Sequence, residues 1–173
     1  AEADASRTLP PPRSAAPADE GGEGCGEEGE QVGLEEVCVN DAAPKILFRM
    51  PVALRWRDLD AFQHVNNSNF LTYHEEARIR WFESWNGEWV NEAIAPLLAA
   101  VQLNYRMPIP YPADVAVELF AEKVGNTSVT IGHRITSGDG ATLYADGHVV
   151  MVWIDRASGR PVPLPEAVRN ALG

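Results

Sequence analysis

The strongest constraint on the fold is one helical segment that is apolar around most of its circumference. Residues 67–85 carry apolar side chains at spacings of three and four, and further apolar residues widen this stripe beyond a single face. The stripe consists of Phe70, His74, Ala77, Trp81 and Trp85, widened by Leu71, Tyr73, Ile79 and Phe82. Such a helix has to be covered on several sides, so we expect the remaining chain to wrap around it.

The segments around this helix alternate apolar and polar residues with the period of two that is typical of half-buried strands. In the first of them, Val52, Leu54 and Trp56 form the apolar face. Strands joined by tight turns after a single helix predict an α+β fold, an antiparallel five-stranded sheet wrapped around one long central helix. No GxSxG, GxxxxGK[ST] or GxGxxG motif supports an α/β-hydrolase, P-loop or Rossmann fold. The predicted strands are residues 46–56, 95–106, 114–124, 127–136 and 140–155.

The first 44 residues have a different composition from the rest. They contain 11 of the 25 acidic residues and 2 of the 14 basic ones, and they lack aromatic side chains. Such a segment cannot bury enough apolar surface to offset its ordering entropy, which predicts a disordered acidic tail over residues 1–44 and a folded domain over residues 45–173. The tail is either a passive solvated extension or a segment that binds a partner.

Charge and cysteine content narrow the functional classes. Residues 45–173 are close to neutral and have no Lys/Arg cluster, which argues against nucleic acid as a partner. The two cysteines, Cys25 and Cys38, both lie in the acidic segment and form no disulfide framework or zinc motif. With no apolar run long enough to cross a membrane, these features predict a soluble cytoplasmic protein.

A dense group of polar residues precedes the predicted helix. Asp58, Asp60, His64, Asn66 and Asn67 fall within ten positions, whereas capping a helix needs one such side chain. The excess predicts a functional site at the helix N-terminus. His64 and His74 do not have the spacing of a helical metal-binding pair, and no third ligand is apparent, so no metal is expected.

The stretch RWRDLDAFQHVNNSNFLTYHEEARIRWF resembles the hotdog-fold acyl-CoA thioesterases of the 4-hydroxybenzoyl-CoA thioesterase-like family. The matching elements are Asp58-Leu59-Asp60, His64-Val65-Asn66-Asn67 and Glu75-Glu76-Ala77-Arg78, and the resemblance extends over about residues 45–165. One position departs from the family pattern, because Gln63 stands where the turn before the histidine usually carries glycine. If that turn needs a positive φ, either Gln63 is strained or the turn has a different shape in this chain.

The resemblance implies that Asp60 is the catalytic carboxylate, as a general base or a nucleophile, and that His64 assists it. The residues alone leave open that Asp60 only shapes the turn at the helix entrance. His64 either donates to the thioester or orients a water, and the alternative is a histidine held in place by backbone hydrogen bonds. Backbone N–H groups of Val65, Asn66 and Asn67 at the positive end of the helix are the expected oxyanion donors. One of the two asparagines is expected to be the N-cap, and Asn67 is a further candidate for substrate contact.

Two other residue groups have expected structural roles. Asp58 is expected to pair with Arg55 or Arg57, or to order the turn. Glu75 or Glu76 with Arg78 is expected to form a buried ion pair that joins helix to sheet or subunit to subunit. His133 and His148 lie in strand patterns and are expected to be ordinary sheet residues.

The predicted function is hydrolysis of an acyl-CoA to a free acid and CoA, with CoA as part of the substrate and no other cofactor. Three alternatives stay open: thioesters of acyl carrier protein as substrates, hydration of an enoyl thioester, and a non-catalytic module that binds acyl thioesters. The hydration alternative is weakened by Ala61-Phe62-Gln63, which does not match the Asn-Pro of the hydratases that share the fold. An open sheet edge and the resemblance both imply a homodimer or homotetramer.

Overall fold

The computed structural model describes residues 44–172. Its strands are β1 (Phe48–Val52), β2 (Ile94–Tyr105), β3 (Val115–Val124), β4 (Ser128–Ser137) and β5 (Leu143–Asp155). Its helices are α1 (Asn67–Glu83) and α2 (Glu166–Leu172), with a short 3₁₀ turn at Trp56–Asp58. Apart from Pro44, the predicted acidic tail and both cysteines lie outside the described residues. The division into a tail and a folded domain therefore stays a prediction.

The five strands form one antiparallel sheet in the order β1-β3-β4-β5-β2. This confirms the predicted number and direction of strands. The order leaves β1 and β2 at the two edges among the described residues. Because β2 is twelve residues long, its unpaired side is the longer of the two open edges.

Helix α1 packs against the sheet through the apolar stripe that its sequence predicts. Seven of its side chains are buried, and five of them belong to one apolar core with residues of the strands and of α2. The helix begins after Asn66, whose side chain accepts a hydrogen bond from the Ser68 N–H at 2.9 Å. Asn66 is therefore the predicted N-cap, and the helix ends at Glu83, two residues before the predicted position.

The first predicted strand is too long at its C-terminal end. Strand β1 ends at Val52, and Trp56 lies in the 3₁₀ turn with 73 % of its surface exposed, so it does not continue the apolar face. The physical reason is local. The Asp58 carboxylate accepts hydrogen bonds from the Arg55 backbone and side chain, which closes a tight turn where the alternation of residue types predicted extended backbone.

Within residues 44–172, neither helix combines the length and apolar character needed to span a bilayer.

Candidate active site

Asp60 opens a tight turn that ends at His64. The Asp60 N–H donates to the His64 carbonyl at 2.8 Å, and the Gln63 N–H donates to the Asp60 carbonyl at 3.1 Å. The Asp60 carboxylate also serves the turn, because its Oδ1 accepts from the N–H of Phe62 at 2.8 Å and of His64 at 3.3 Å. Its Oδ2 has no hydrogen-bond partner among residues 44–172, which leaves one carboxylate oxygen of Asp60 free to act on a ligand.

Gln63 has the positive φ that is expected where the family pattern carries glycine. Its φ is +63°, and within the described part of the chain it is the one residue other than glycine with a positive φ. An L-residue with a side chain is strained there by about 1–2 kcal/mol. The turn that contains Asp60 and His64 is therefore less stable with Gln63 than it would be with a glycine, which adopts a positive φ without strain.

Asp58 anchors this loop to the helix. It is buried, and its Oδ2 accepts from the Arg55 N–H at 3.0 Å, the Arg55 Nε at 3.3 Å and the Tyr73 hydroxyl at 3.0 Å. Burial alone would raise the pKa of Asp58, but the hydrogen bonds from Arg55 and Tyr73 outweigh it and hold that pKa below its ordinary value. The expected pairing of Asp58 with Arg55 is confirmed. The Asp58 carboxylate holds the turn and the helix together rather than facing the cleft.

Asp60 and His64 line a cleft of about 240 Å³ together with Val65 and Asn67. The buried Phe70 and residues 105–108, at and after the end of β2, also line it. Asn66 is not among the lining residues, since its side chain caps α1 through Ser68. The structure thus brings together four of the five residues that the sequence predicted for the site.

The backbone N–H groups at the start of α1 differ in availability. The Val65 N–H donates to the Ile109 carbonyl at 3.0 Å, and the Asn66 N–H donates to the Asp58 carbonyl at 2.8 Å. The Asn67 N–H has no acceptor among the described residues, as expected for the first residue of a helix. Of the three predicted oxyanion donors, Asn67 is the one whose N–H is free to donate a hydrogen bond to a ligand oxygen.

Tyr105 is a cleft residue that the sequence did not single out. It ends strand β2, its hydroxyl donates to the Asn67 carbonyl at 3.1 Å, and its ring meets Phe70 edge to face with 5.1 Å between centroids. The neighbouring Arg106 also lines the cleft and pairs with Asp146. The available signal was the run of prolines at 108, 110 and 112, which ends β2 beside the polar loop.

A second polar group lies deeper, between α1 and the sheet. The rings of His74 and His133 stack with 3.8 Å between centroids and 27° between planes. Both are buried, and none of their four ring nitrogens has a hydrogen-bond partner of good geometry among residues 44–172. Burial lowers the pKa of His74 to about 2, and repulsion from a protonated His133 and from Arg78 adds to this effect. Burial likewise lowers the pKa of His133 to about 4. His133 lies in strand β4, as its strand pattern predicted, but its ring is buried against that of His74, which the pattern did not indicate.

The ion pair expected between helix and sheet is not formed. Arg78 is buried, with 8 % of its surface exposed, and within the described chain no carboxylate lies within 4 Å of it. Glu75 is exposed, and Glu76 pairs instead with Arg80 at 2.6 Å. The helix-to-sheet alternative was wrong because both glutamates lie on the exposed side of α1, away from the sheet.

Comparison with known proteins gives a consistent family. The profile of the thioesterase-like superfamily matches residues 54–172. The long-chain acyl-CoA thioesterase FadM of Escherichia coli is 26 % identical over 70 % of this chain and 93 % of its own length. A Xanthomonas campestris structure, provisionally classed as an acyl-CoA thioesterase, is 50 % identical over 65 % of this chain and 96 % of its own, with a TM-score of 0.60.

A thioesterase from Thermus thermophilus, solved in complex with coenzyme A and zinc, is 37 % identical. The match covers 73 % of this chain and 92 % of that one, with a TM-score of 0.63. In the present chain, residues 44–172 contain no group of three His, Cys, Asp or Glu side chains arranged to hold a metal ion.

Proposed function

The chain belongs to the thioesterase-like superfamily, and on that premise we propose that it hydrolyses acyl-CoA thioesters to a free acid and coenzyme A. Relatives named as acyl-CoA thioesterases and the coenzyme A bound in a similar structure support this substrate class. The observation that carries the proposal is that the free Oδ2 of Asp60 and the free N–H of Asn67 belong to one cleft.

The chemistry requires a base or nucleophile and a donor for the developing oxyanion. With Asp60 as base, its carboxylate takes a proton from water while the oxygen of that water bonds to the thioester carbon. The carbonyl π electrons move to oxygen, and the oxyanion accepts the Asn67 N–H at the positive end of α1. Collapse of this intermediate breaks the C–S bond, and the proton held by Asp60 passes to the departing thiolate.

With Asp60 as nucleophile, its carboxylate oxygen bonds to the thioester carbon and the thiolate leaves. Water then hydrolyses the resulting anhydride and restores the carboxylate. Both routes use the same oxyanion donor. The half-buried His64 ring makes no hydrogen bond to any residue of the described chain, so it is available to donate to the carbonyl or to orient the water.

The proposal includes a homodimer or homotetramer. The long edge strand β2 has an unpaired side, and such an edge is a template for pairing with another chain. It also includes a cytoplasmic location, which is compatible with the absence of a membrane-spanning helix from residues 44–172. A role in fatty acid metabolism is suggested by the similarity to the long-chain enzyme FadM.

The experiment that tests the function is thiol release from short-chain, long-chain and aromatic acyl-CoAs. We expect turnover with at least one class, and Asp60→Asn should lower kcat by about 100-fold with the fold intact. Glu92→Gln is the matched control, since Glu92 is an exposed carboxylate near the other end of β2. Binding without turnover would favour acyl carrier protein substrates or a non-catalytic binding module. Equal turnover in Asp60→Asn would exclude Asp60 as the catalytic carboxylate.

A further inference from the structure

Trp56 is a large aromatic side chain that the core does not use. It lies in the 3₁₀ turn that leads into the Asp60 loop, and 73 % of its surface is exposed. Of the five tryptophans, the other four are buried or half-buried and pack in or against the core. The exposure of Trp56 is therefore a local feature of the turn beside the cleft.

The ring of Trp56 is not isolated on the surface. It meets the ring of Tyr111, which is itself exposed, at a centroid distance of 6.1 Å and an angle of 76° between planes. Two rings at nearly a right angle form an open corner, in which a flat ligand ring can stack on one while its edge meets the other. The contact is made by the ring of Tyr111, so its hydroxyl is not part of the corner.

Arg57 adds a cation to this corner. It follows Trp56 directly, it is exposed, and it forms no ion pair within residues 44–172. The next carboxylate along the chain, Asp58, is buried and engaged by Arg55 and Tyr73. Trp56, Arg57 and Tyr111 define what we call the Trp56 corner, which combines two exposed aromatic rings with one unpaired guanidinium.

The Trp56 corner lies close to the Asp60 cleft. His64 of the cleft forms a bridge with Pro110, the residue before Tyr111. Pro108 also lines the cleft, and three residues of extended chain from there to Tyr111 span at most about 11 Å. The pantetheine arm of coenzyme A is longer than this when extended, so a thioester held at Asp60 can place its nucleotide on the corner.

We propose that the Trp56 corner binds the nucleotide end of the coenzyme A substrate, with adenine against the rings of Trp56 and Tyr111 and a phosphate on Arg57. Adenine is a flat aromatic ring that stacks on aromatic side chains, and a guanidinium matches phosphate oxygens in charge and geometry. Coenzyme A carries both groups at the end remote from its thioester. This inference deepens the proposed function and rests on it.

The first test compares thioesters that carry the same acyl group on carriers of different length. With the coenzyme A thioester, Trp56→Ala should raise KM about 10-fold and leave kcat unchanged, because lost stacking weakens ground-state and transition-state binding alike. With the pantetheine thioester, which lacks the nucleotide, the same variant should behave like the wild type. Trp56→Phe keeps a flat ring and should recover most of the affinity.

Arg57→Gln separates the phosphate contact from the stacking. It should raise KM about 10-fold for the coenzyme A thioester and have no effect with the pantetheine thioester. The dephospho-coenzyme A thioester then identifies the phosphate, since a loss that persists there assigns the diphosphate and a loss that disappears assigns the 3′-phosphate. An equal loss with the pantetheine thioester would contradict any phosphate contact.

Two matched controls lie far from the cleft. Val124→Ala shortens an exposed apolar side chain at the far end of β3, and Arg80→Gln removes an exposed guanidinium that pairs with Glu76 near the end of α1. Both should match the wild type with every thioester. The inference is overturned if Trp56→Ala matches Val124→Ala or weakens the coenzyme A and pantetheine thioesters equally. A changed sedimentation coefficient in Trp56→Ala would also overturn it, by placing a second copy on the corner.

The nucleotide alone separates this inference from the proposed function. Titration calorimetry with adenosine 3′,5′-bisphosphate should show binding to the wild type and a Kd about 10-fold higher in Trp56→Ala. Binding that depends on Trp56, in a protein that hydrolyses no thioester, would retain the corner and remove the thioesterase. Turnover of coenzyme A thioesters that ignores Trp56→Ala would retain the thioesterase and remove the corner.

Discussion

His74 and His133 stack ring on ring inside the core, 3.8 Å apart and without hydrogen-bond partners of good geometry in the described chain. Helix α1 supplies one ring and strand β4 the other. Burial is the largest cause that lowers the pKa of both rings, and the charge of Arg78 adds to it. At His133, His148 lowers the pKa further, while Asp146 and a backbone contact with Gln102 oppose the shift. The pair therefore stays neutral in the fold at pH values where a free histidine is protonated.

This arrangement predicts loss of stability in mild acid. The folded-state pKa values, about 2 for His74 and about 4 for His133, lie below the unfolded value near 6.5. The unfolded chain therefore binds more protons below pH 6.5, and stability falls as pH drops from there toward 4. At pH 5 each histidine should cost about 2 kcal/mol. Urea unfolding of wild type and His74→Phe between pH 8 and 5 measures this, and parallel pH profiles would contradict it.

Gln63 predicts a stabilising substitution at the active-site turn. Gln63→Gly relieves the strain of φ +63° but adds backbone freedom to the unfolded chain, so the net gain should be about 0.5–1 kcal/mol. Gln63→Ala is the control, because it removes the side chain and keeps the strain. Chemical denaturation distinguishes them, and equal stability of the two variants would mean that the backbone strain is not the cause.

Asn67 allows the proposed oxyanion donor to be removed as a single N–H group. Asn67 is the first residue of α1, a position that proline favours, and the preceding Asn66 already has φ −59° and ψ 136°, which suit a residue before proline. Asn67→Pro should keep the helix and lower kcat by about 100-fold or more. Asn67→Ala keeps the N–H and serves as control, so comparable losses in both variants would assign the effect to the side chain.

Tyr105 is predicted to position Asn67 for the reaction. Its hydroxyl holds the Asn67 carbonyl at 3.1 Å, so Tyr105→Phe should loosen the first turn of α1 and lower kcat by about 10-fold with little change in KM. Tyr111→Phe is the matched control on a half-exposed ring outside the cleft. Steady-state kinetics of both variants measure kcat and KM separately. A rise in KM with kcat unchanged would assign Tyr105 to substrate binding instead.

Several features of the site followed from local sequence. The helix N-cap was expected among the two asparagines, and the pairing of Asp58 with Arg55 joins residues three positions apart. The departure from the family's glycine raised strain at Gln63 as one of two possibilities, and the structure has the positive φ on which it depended. These features depend on interactions within a few residues, which the order of residue types constrains directly.

Other features depend on contacts between distant segments. The His74–His133 stack brings together residues 59 positions apart, and the Tyr105–Asn67 hydrogen bond spans 38. Neither pair is marked by a motif, because sheet register and helix rotation decide which side chains meet.

The sequence by itself determined the fold class, the family and the segment that forms the candidate site, because apolar periodicity and the spacing of the polar motif are properties of the chain. Only the tertiary structure decided which groups of that segment are available for chemistry. The carbonyl of Ile109, 44 positions after Val65, accepts the hydrogen bond of the Val65 N–H. The carbonyl of Asp58 accepts that of the Asn66 N–H, and the Asn67 N–H has no acceptor among the described residues. A hydrogen-bonding group is available only when the folded chain supplies no partner, and distant segments supply partners only once they have packed together.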